Sequence, residues 1–289
     1  MTALLRRLRY LSMVLSLCAV VTGCTRVDLA YRNLDVIIPW SLNDYLDMNR
    51  EQKSWFDERL RDHLHWHCTT QLPGNLAWLQ SIEQMVAEQQ VTVEQLQART
   101  REAKLAIAQV AAEVTPSAVQ LLQGLDDRQV RALQQSFSED LQDKRRKYVA
   151  PPLAEQVADR AKRMEKRLVP WFGSLDERQR QRVSSWSQSL GEQNREWIDN
   201  REHWQQQFMA ALQQRGSADF PARIAQLLQR RESLWTPEYQ QAYARTEQAG
   251  TQLLVDLVAY SSAAQRQRLS DKLAELRRDF AKLACLSGR

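Results

Sequence analysis

The sequence predicts an all-α protein, an elongated bundle of antiparallel helices, and three observations carry that expectation. Apolar residues recur at three- and four-residue spacing along most of the chain. Gly and Pro are scarce, 8 of each in 289 residues, too few to turn the many short strands of a sandwich or barrel. No segment alternates apolar and polar residues as a half-buried strand would. The apolar share of 43% and charged share of 26% are ordinary for a packed domain and exclude a disordered or collagen-like chain.

The amino-terminal segment comes first. Arg6, Arg7 and Arg9 precede an apolar run from Tyr10 to Val21. That run is shorter than the ~20 residues a membrane span needs, so residues 1–23 read as a secretory signal. It ends in Val21-Thr22-Gly23-Cys24, which resembles the bacterial lipobox. Cys24 is then the expected first mature residue and lipidation site. Several acyl chains anchor stably where one is marginal, so the protein is expected to be held to a membrane without spanning it. Thr25 stands where an Asp would retain such a lipoprotein at the inner membrane, which implies the periplasmic face of the outer membrane. Without residues 1–23 the charge is 37 basic against 35 acidic residues, a balance that gives no reason to expect a nucleic-acid partner.

Residues 24–40 form a lipid-anchored tether whose Tyr31, Leu34, Val36, Ile37 and Ile38 are too apolar for a flexible spacer. They are expected to pack on a helical body, residues 41–289. A division into lobes 41–149 and 150–289 at Pro151-Pro152 stays open. Stripes mark buried faces: Leu96, Thr100, Ala103, Ile107, Val110 and Val114; Val130, Leu133, Phe137 and Leu141; Leu269, Leu273, Leu276, Phe280 and Leu283. The longest run, about 176–214, carries Val183, Trp186, Leu190, Trp197, Trp204, Phe208 and Leu212, and as one helix it would exceed 50 Å at about 1.5 Å per residue. Breaks are expected at Leu72-Pro73-Gly74, Thr115-Pro116, Gly124, Pro151-Pro152, Gly173, 216–221 and Thr236-Pro237.

Four helix starts repeat one pattern: Met48-Asn49-Arg50-Glu51-Gln52, Leu125-Asp126-Asp127-Arg128-Gln129, Leu175-Asp176-Glu177-Arg178-Gln179 and Ser262-Ala263-Ala264-Gln265. Each predicts a capping box, with the Asn, Asp or Ser accepting from a backbone N–H and the Gln reaching back. The pattern also resembles the LTxxQ motif of periplasmic stress chaperones. A broader resemblance rests on Tyr31-Arg32-Asn33-Leu34-Asp35, Trp40, Tyr45, Leu46 and Gln52, then on the run 160–167, on Trp171 to Gln179, and on Trp197, Asn200, Arg201 and Trp204. Together these are similar to an uncharacterised family of proteobacterial lipoproteins, domain of unknown function 6279. The resemblance implies an all-helical envelope lipoprotein and no activity. The family's Arg-x-Glu-Leu-Pro-x-Tyr stretch is replaced here by Cys68-Thr69-Thr70-Gln71-Leu72-Pro73-Gly74-Asn75.

Candidate chemistry is sparse. Of four cysteines, Cys18 leaves with the signal and Cys24 takes lipid, so Cys68 and Cys285 are one candidate disulfide, with two buried free thiols as the alternative. His63 and His67 share a helical face at i and i+4, as two zinc ligands would, but the Glu of His-Glu-x-x-His is absent because Leu64 follows His63. They are weak metal candidates, and no metal or other cofactor is expected. Phosphate loops, nucleophile elbows and Ser-x-x-Lys are missing too, so a non-enzymatic role is expected. Residues 144–167 hold Lys144, Arg145, Arg146, Lys147, Arg160, Lys162, Arg163, Lys166 and Arg167 against Glu155, Asp159 and Glu165. The segment is either a solvated face or a site for lipopolysaccharide, peptidoglycan or anionic lipid. The expected function is binding or scaffolding at the envelope, with chaperone-like holding of a client, an envelope protein among the candidates, as the specific form and the basic segment as its rival. Trp186, Trp197 and Trp204 are expected in the core.

Overall fold

The computed structural model describes residue 31, residues 33–283 and residue 285; the signal segment, Cys24 and the start of the tether lie outside the described residues. Among the described residues there is no strand. The tether ends as a helix, α1 (Leu34–Leu46), which stops where Asp47 turns left-handed at φ 42°. The capping box of Asn49 and Gln52 starts α2 (Arg50–Trp66). A π turn over His67–Gln71 then runs directly into α3 (Leu72–Ala87). Pro73 therefore does not break the chain: it sits in the first turn of α3, directly after the π turn.

Thr92 caps α4 (Val93–Gln123), which also continues through an expected break, at Pro116. The Thr115 hydroxyl donates to the Ala111 carbonyl beside the proline, and the last turns are held by burial of Leu121 and Leu122. Tertiary packing here outweighs the local penalty of proline. The next helices, α5 (Asp127–Tyr148) and α6 (Leu153–Phe172), are separated at Pro151-Pro152 as expected.

The expected single run 176–214 is two helices, α7 (Glu177–Ser189) and α8 (Gln193–Gln213). Gly191 takes φ 51° at the junction, a conformation open to glycine without steric cost. The buried Arg160 donates across it to the carbonyls of Ser187 (2.9 Å) and Gly191 (3.0 Å). The chain then forms α9 (Phe220–Gln229), a 3₁₀ turn (Arg231–Leu234), α10 (Pro237–Tyr260) and α11 (Ala263–Ala281).

Two main cores result. One gathers Leu46, Leu121, Leu122, Leu133, Phe208, Leu212, Phe220 and Ile224 from α1, α4, α5, α8 and α9. The other gathers Val86, Leu168, Phe172, Val183, Trp186, Leu253, Leu257, Leu269 and Leu273 from α3, α6, α7, α10 and α11. The cores do not divide the chain at residue 150. Val86 packs with the later helices and α8–α9 with the earlier ones. The junction at Gly191 sends Val183 and Trp186 into one core, Phe208 and Leu212 into the other.

All four expected capping boxes form, and they meet in pairs. The Gln129 side-chain amide donates to Gln52 Oε1 (2.8 Å) and to the Leu46 and Asp47 carbonyls at the end of α1, while Gln52 donates to the Gly124 carbonyl. The Gln265 amide donates to Gln179 Oε1 (2.9 Å) and to the Ser174 carbonyl. Each glutamine thus caps its own helix and ties it to a neighbouring chain segment. Gln129 and Gln179 are almost fully buried, consistent with side chains whose polar atoms are all engaged.

Candidate functional site

Helix α3 packs chiefly on α11, and α4 on α9, so α3 and α4 diverge along much of their length. An open groove of about 1030 Å³ lies between them, with Tyr31 and His67 at one end. Its walls are mainly apolar: Leu72 and Trp78 from α3, Ala103, Leu105 and Ile107 from α4, and Phe280 from α11. The Trp78 indole N–H donates to the Arg99 carbonyl at 2.9 Å, bridging the two walls. Arg99 forms an ion pair with Glu102 at 2.7 Å, so the charge on that wall is matched locally.

On α4 the groove departs from the expected stripe. Ile107, expected on a buried face, is 58% exposed, and Leu105, outside that stripe and also lining the groove, is 65% exposed. Only 22% of the helix's most apolar 18-residue stretch is buried, and this is the one helix among the described residues long and apolar enough to cross a membrane. Its ends are tied into the protein instead, through Leu121 and Leu122 at one end and a Lys104–Glu247 ion pair (2.8 Å) to α10 nearer the other. The signal for the groove lay in the sequence. Between residues 103 and 112 apolar side chains occur all round α4, where a helix with a single buried face would be polar on one side.

The end of the groove is fastened covalently. Cys68, in the π turn, is joined to Cys285 with their Cα atoms 6.2 Å apart, and Leu72 and Leu283 pack around the bridge. Beside it Tyr31 and His67 share a hydrogen bond of 2.9 Å between the phenol oxygen and Nδ1. Burial pushes the Tyr31 phenol above its ordinary pKa and the His67 imidazole below its own, so both are neutral at pH 7.

The histidines are occupied separately. His63 bonds through Nε2 to the Ser117 hydroxyl at 2.8 Å and lies 3.6 Å from Glu113, while His67 turns to Tyr31. No group of three or more His, Cys, Asp or Glu side chains placed to hold a metal ion occurs among the described residues. Cys68, with its sulfur in the disulfide, is not free to ligate.

The basic segment is dismantled in part. Lys144 pairs with Asp140, Arg145 with Glu202 and Asp199, and Arg146 with Asp143. Arg160, offered above as an anion ligand, is 6% exposed and serves the α7–α8 junction; burial, and then the nearby Arg163, lower its pKa. A smaller group comes together instead. Lys147 and Arg163 each stand 5.3 Å from the centre of the Tyr148 ring. Lys162, Lys166 and Arg167 are exposed on α6 without a carboxylate partner among the described residues.

Of the expected core tryptophans, Trp186 is buried. Trp204 stacks on Phe208 at 5.1 Å and donates to the Leu227 carbonyl, and Trp197 meets Tyr148 edge-on. A cluster that the sequence did not suggest joins Trp235 to Tyr239 and Tyr243, with Lys104 over the Tyr243 ring.

Searches of curated proteins and of solved structures find no significant match. A family model described as "Family of unknown function (DUF6279)" matches residues 44–240, more than half of the 289-residue chain. Helices α2 to α9 lie within that match, and the chain belongs to this family.

Proposed function

We propose that the protein is a lipoprotein anchored through Cys24 at the periplasmic face of the bacterial outer membrane, where it binds rather than catalyses, holding an apolar stretch of a client protein in the α3–α4 groove. The observation that carries this reading is the exposure of Leu105 and Ile107 beside Trp78 in an open channel. Large apolar side chains left uncovered along one channel mark an interaction site. The walls offer few free polar groups, which suits an unfolded segment presenting apolar side chains and disfavours one ligand fixed by many hydrogen bonds.

The chain carrying Cys24→Ser, which leaves it unlipidated, should suppress aggregation of a reduced, unfolded model protein to the same degree at low and high salt. Leu105→Asp with Ile107→Asp should abolish that protection while helix content is unchanged. Equal protection by the variant removes the groove from the reading. Mass spectrometry of the envelope form tests the anchor, and an unmodified Cys24 ends that part.

One observation favours a second reading. The Tyr148 ring, flanked by Lys147 and Arg163 and continued by Lys162, Lys166 and Arg167, could grip an anionic envelope polymer such as peptidoglycan or lipopolysaccharide, or anionic lipid. Its test is a pull-down with purified peptidoglycan in which Lys162, Arg163, Lys166 and Arg167 are replaced by Gln. Binding that is lost both on replacement and at raised salt supports it.

A further inference from the structure

Helix α1 has two apolar faces. Leu42, Tyr45 and Leu46 pack on the first core. Val36, Ile37 and Trp40 point the other way and are 63%, 44% and 69% exposed. At 3.6 residues per turn these three fall within a sector of about 100°, so they form one continuous strip. Trp40 is the most exposed large apolar side chain among the described residues.

The length of chain ahead of α1 says what covers this strip. Residues 25–30 alone separate Cys24 from Tyr31, and seven Cα–Cα steps span at most about 25 Å. With lipid on Cys24, the reading on which this inference rests, Tyr31 stays within that distance of the bilayer, and α1 begins three residues later. We propose that the Val36–Ile37–Trp40 face of α1 is a membrane-docking surface that enters the headgroup and acyl boundary and gives the lipid anchor a second, orienting contact. The residues suit that depth: an indole has an apolar body and a polar N–H and concentrates at membrane interfaces. A helix lying in the interface is held by its buried apolar face, supplemented by cations where the lipid is anionic. Here there is no supplement, since α1 contains Asp35 and Asp44 and no Lys or Arg. Docking is therefore apolar in origin, needing no anionic lipid and tolerating salt, unlike binding through the basic segment.

The test uses the Cys24→Ser chain with vesicles of phosphatidylcholine carrying brominated acyl chains, which quench tryptophan on contact. Trp fluorescence should fall on adding vesicles, and most of that change should disappear in Trp40→Phe. Val36→Asp with Ile37→Asp should weaken vesicle partition by at least about tenfold, the loss expected when charge replaces apolar contact at an interface, with an unchanged circular dichroism spectrum. Quenching should be the same in 0.1 M and 1 M salt, concentrations that differ by about threefold in screening length. Three outcomes overturn the proposal: no vesicle binding, quenching that persists in Trp40→Phe, or binding that needs anionic lipid and vanishes in salt. A dimer dissociated by Val36→Asp, without vesicle binding, would assign the face to a second copy and also overturn it. Because these measurements use the unlipidated chain, they are independent of the anchor. An acylated Cys24 with no quenching at Trp40 refutes the docking face alone, and an unmodified Cys24 with quenching refutes the anchor alone.

Discussion

The second core and the α3–α4 groove are built from the same material with opposite outcomes. Leu253 and Leu257 of α10 are 1% and 0% exposed, whereas Leu105 and Ile107 of α4 are 65% and 58% exposed. Each pair stands on a long helix. The difference lies in the neighbours: α10 lies on α7, while α4 diverges from α3 after the Trp78 contact. An apolar face on a helix is an offer of burial, and only a second element at packing distance completes it. The exposed pair contributes little to stability and is available for binding; the buried pair contributes to stability and binds nothing.

The largest way to disturb both regions together is to open the disulfide. It closes a sequence separation of 217 residues, for which the chain-entropy model gives about 5 kcal/mol. Melting with and without reductant should show a loss of that order. Hydrogen exchange should rise first at the π turn and residues 276–283, the end of the groove. Thiol counting on denatured, unreduced protein should find Cys68 and Cys285 unreactive, and two free thiols would refute the bridge.

A sharper comparison uses one substitution in each region. Leu257→Ala should cost about 3 kcal/mol in urea unfolding, the usual toll of a cavity at a fully buried leucine. Leu105→Ala should change stability by less than about 0.5 kcal/mol and yet reduce client protection. If both cost the same, the groove is a tightly packed interior and the binding reading fails.

A smaller effect is expected at the paired capping boxes. Gln129→Ala removes a cap and leaves the Leu46 and Asp47 carbonyls without their donor, a loss of about 2 kcal/mol. Gln265→Ala, with one carbonyl partner and greater exposure, should cost less. Equal losses would mean that the second carbonyl contact of Gln129 adds nothing to the cap.

The smallest effect is a pH dependence at the Tyr31–His67 end of the groove. Burial holds the folded pKa of His67 below its ordinary 6.5, so the unfolded chain binds the proton more readily. This contribution to stability is complete above pH 6.5 and is lost as pH falls below it toward the folded pKa. Thermal melts between pH 7.5 and 5 should fall more steeply in the native protein than in His67→Gln. Parallel curves would dismiss the Tyr31–His67 contact as a pH-sensitive element.

Much of this architecture follows from short-range chemistry and is therefore written in the sequence. Helical class comes from apolar spacing, and the starts at Asn49, Asp126, Asp176 and Ser262 come from side chains that satisfy backbone N–H groups within three residues. The disruptions at Gly124, Pro151-Pro152, Gly173 and Thr236-Pro237 are likewise local. What the tertiary structure decided is where local preferences conflict or need a distant partner. Pro73 and Pro116 look alike as breakers, yet one is absorbed in a first turn and the other is overruled by the burial of Leu121 and Leu122. The run 176–214 reads as one stripe because its period is unbroken; Gly191 and the distant Arg160 divide it between two cores. Arg160 looks like its basic neighbours in sequence and is a buried strut in the fold. Ile107 reads as core because periodicity reports that a helix has apolar residues to bury, and is silent on whether another helix arrives to bury them.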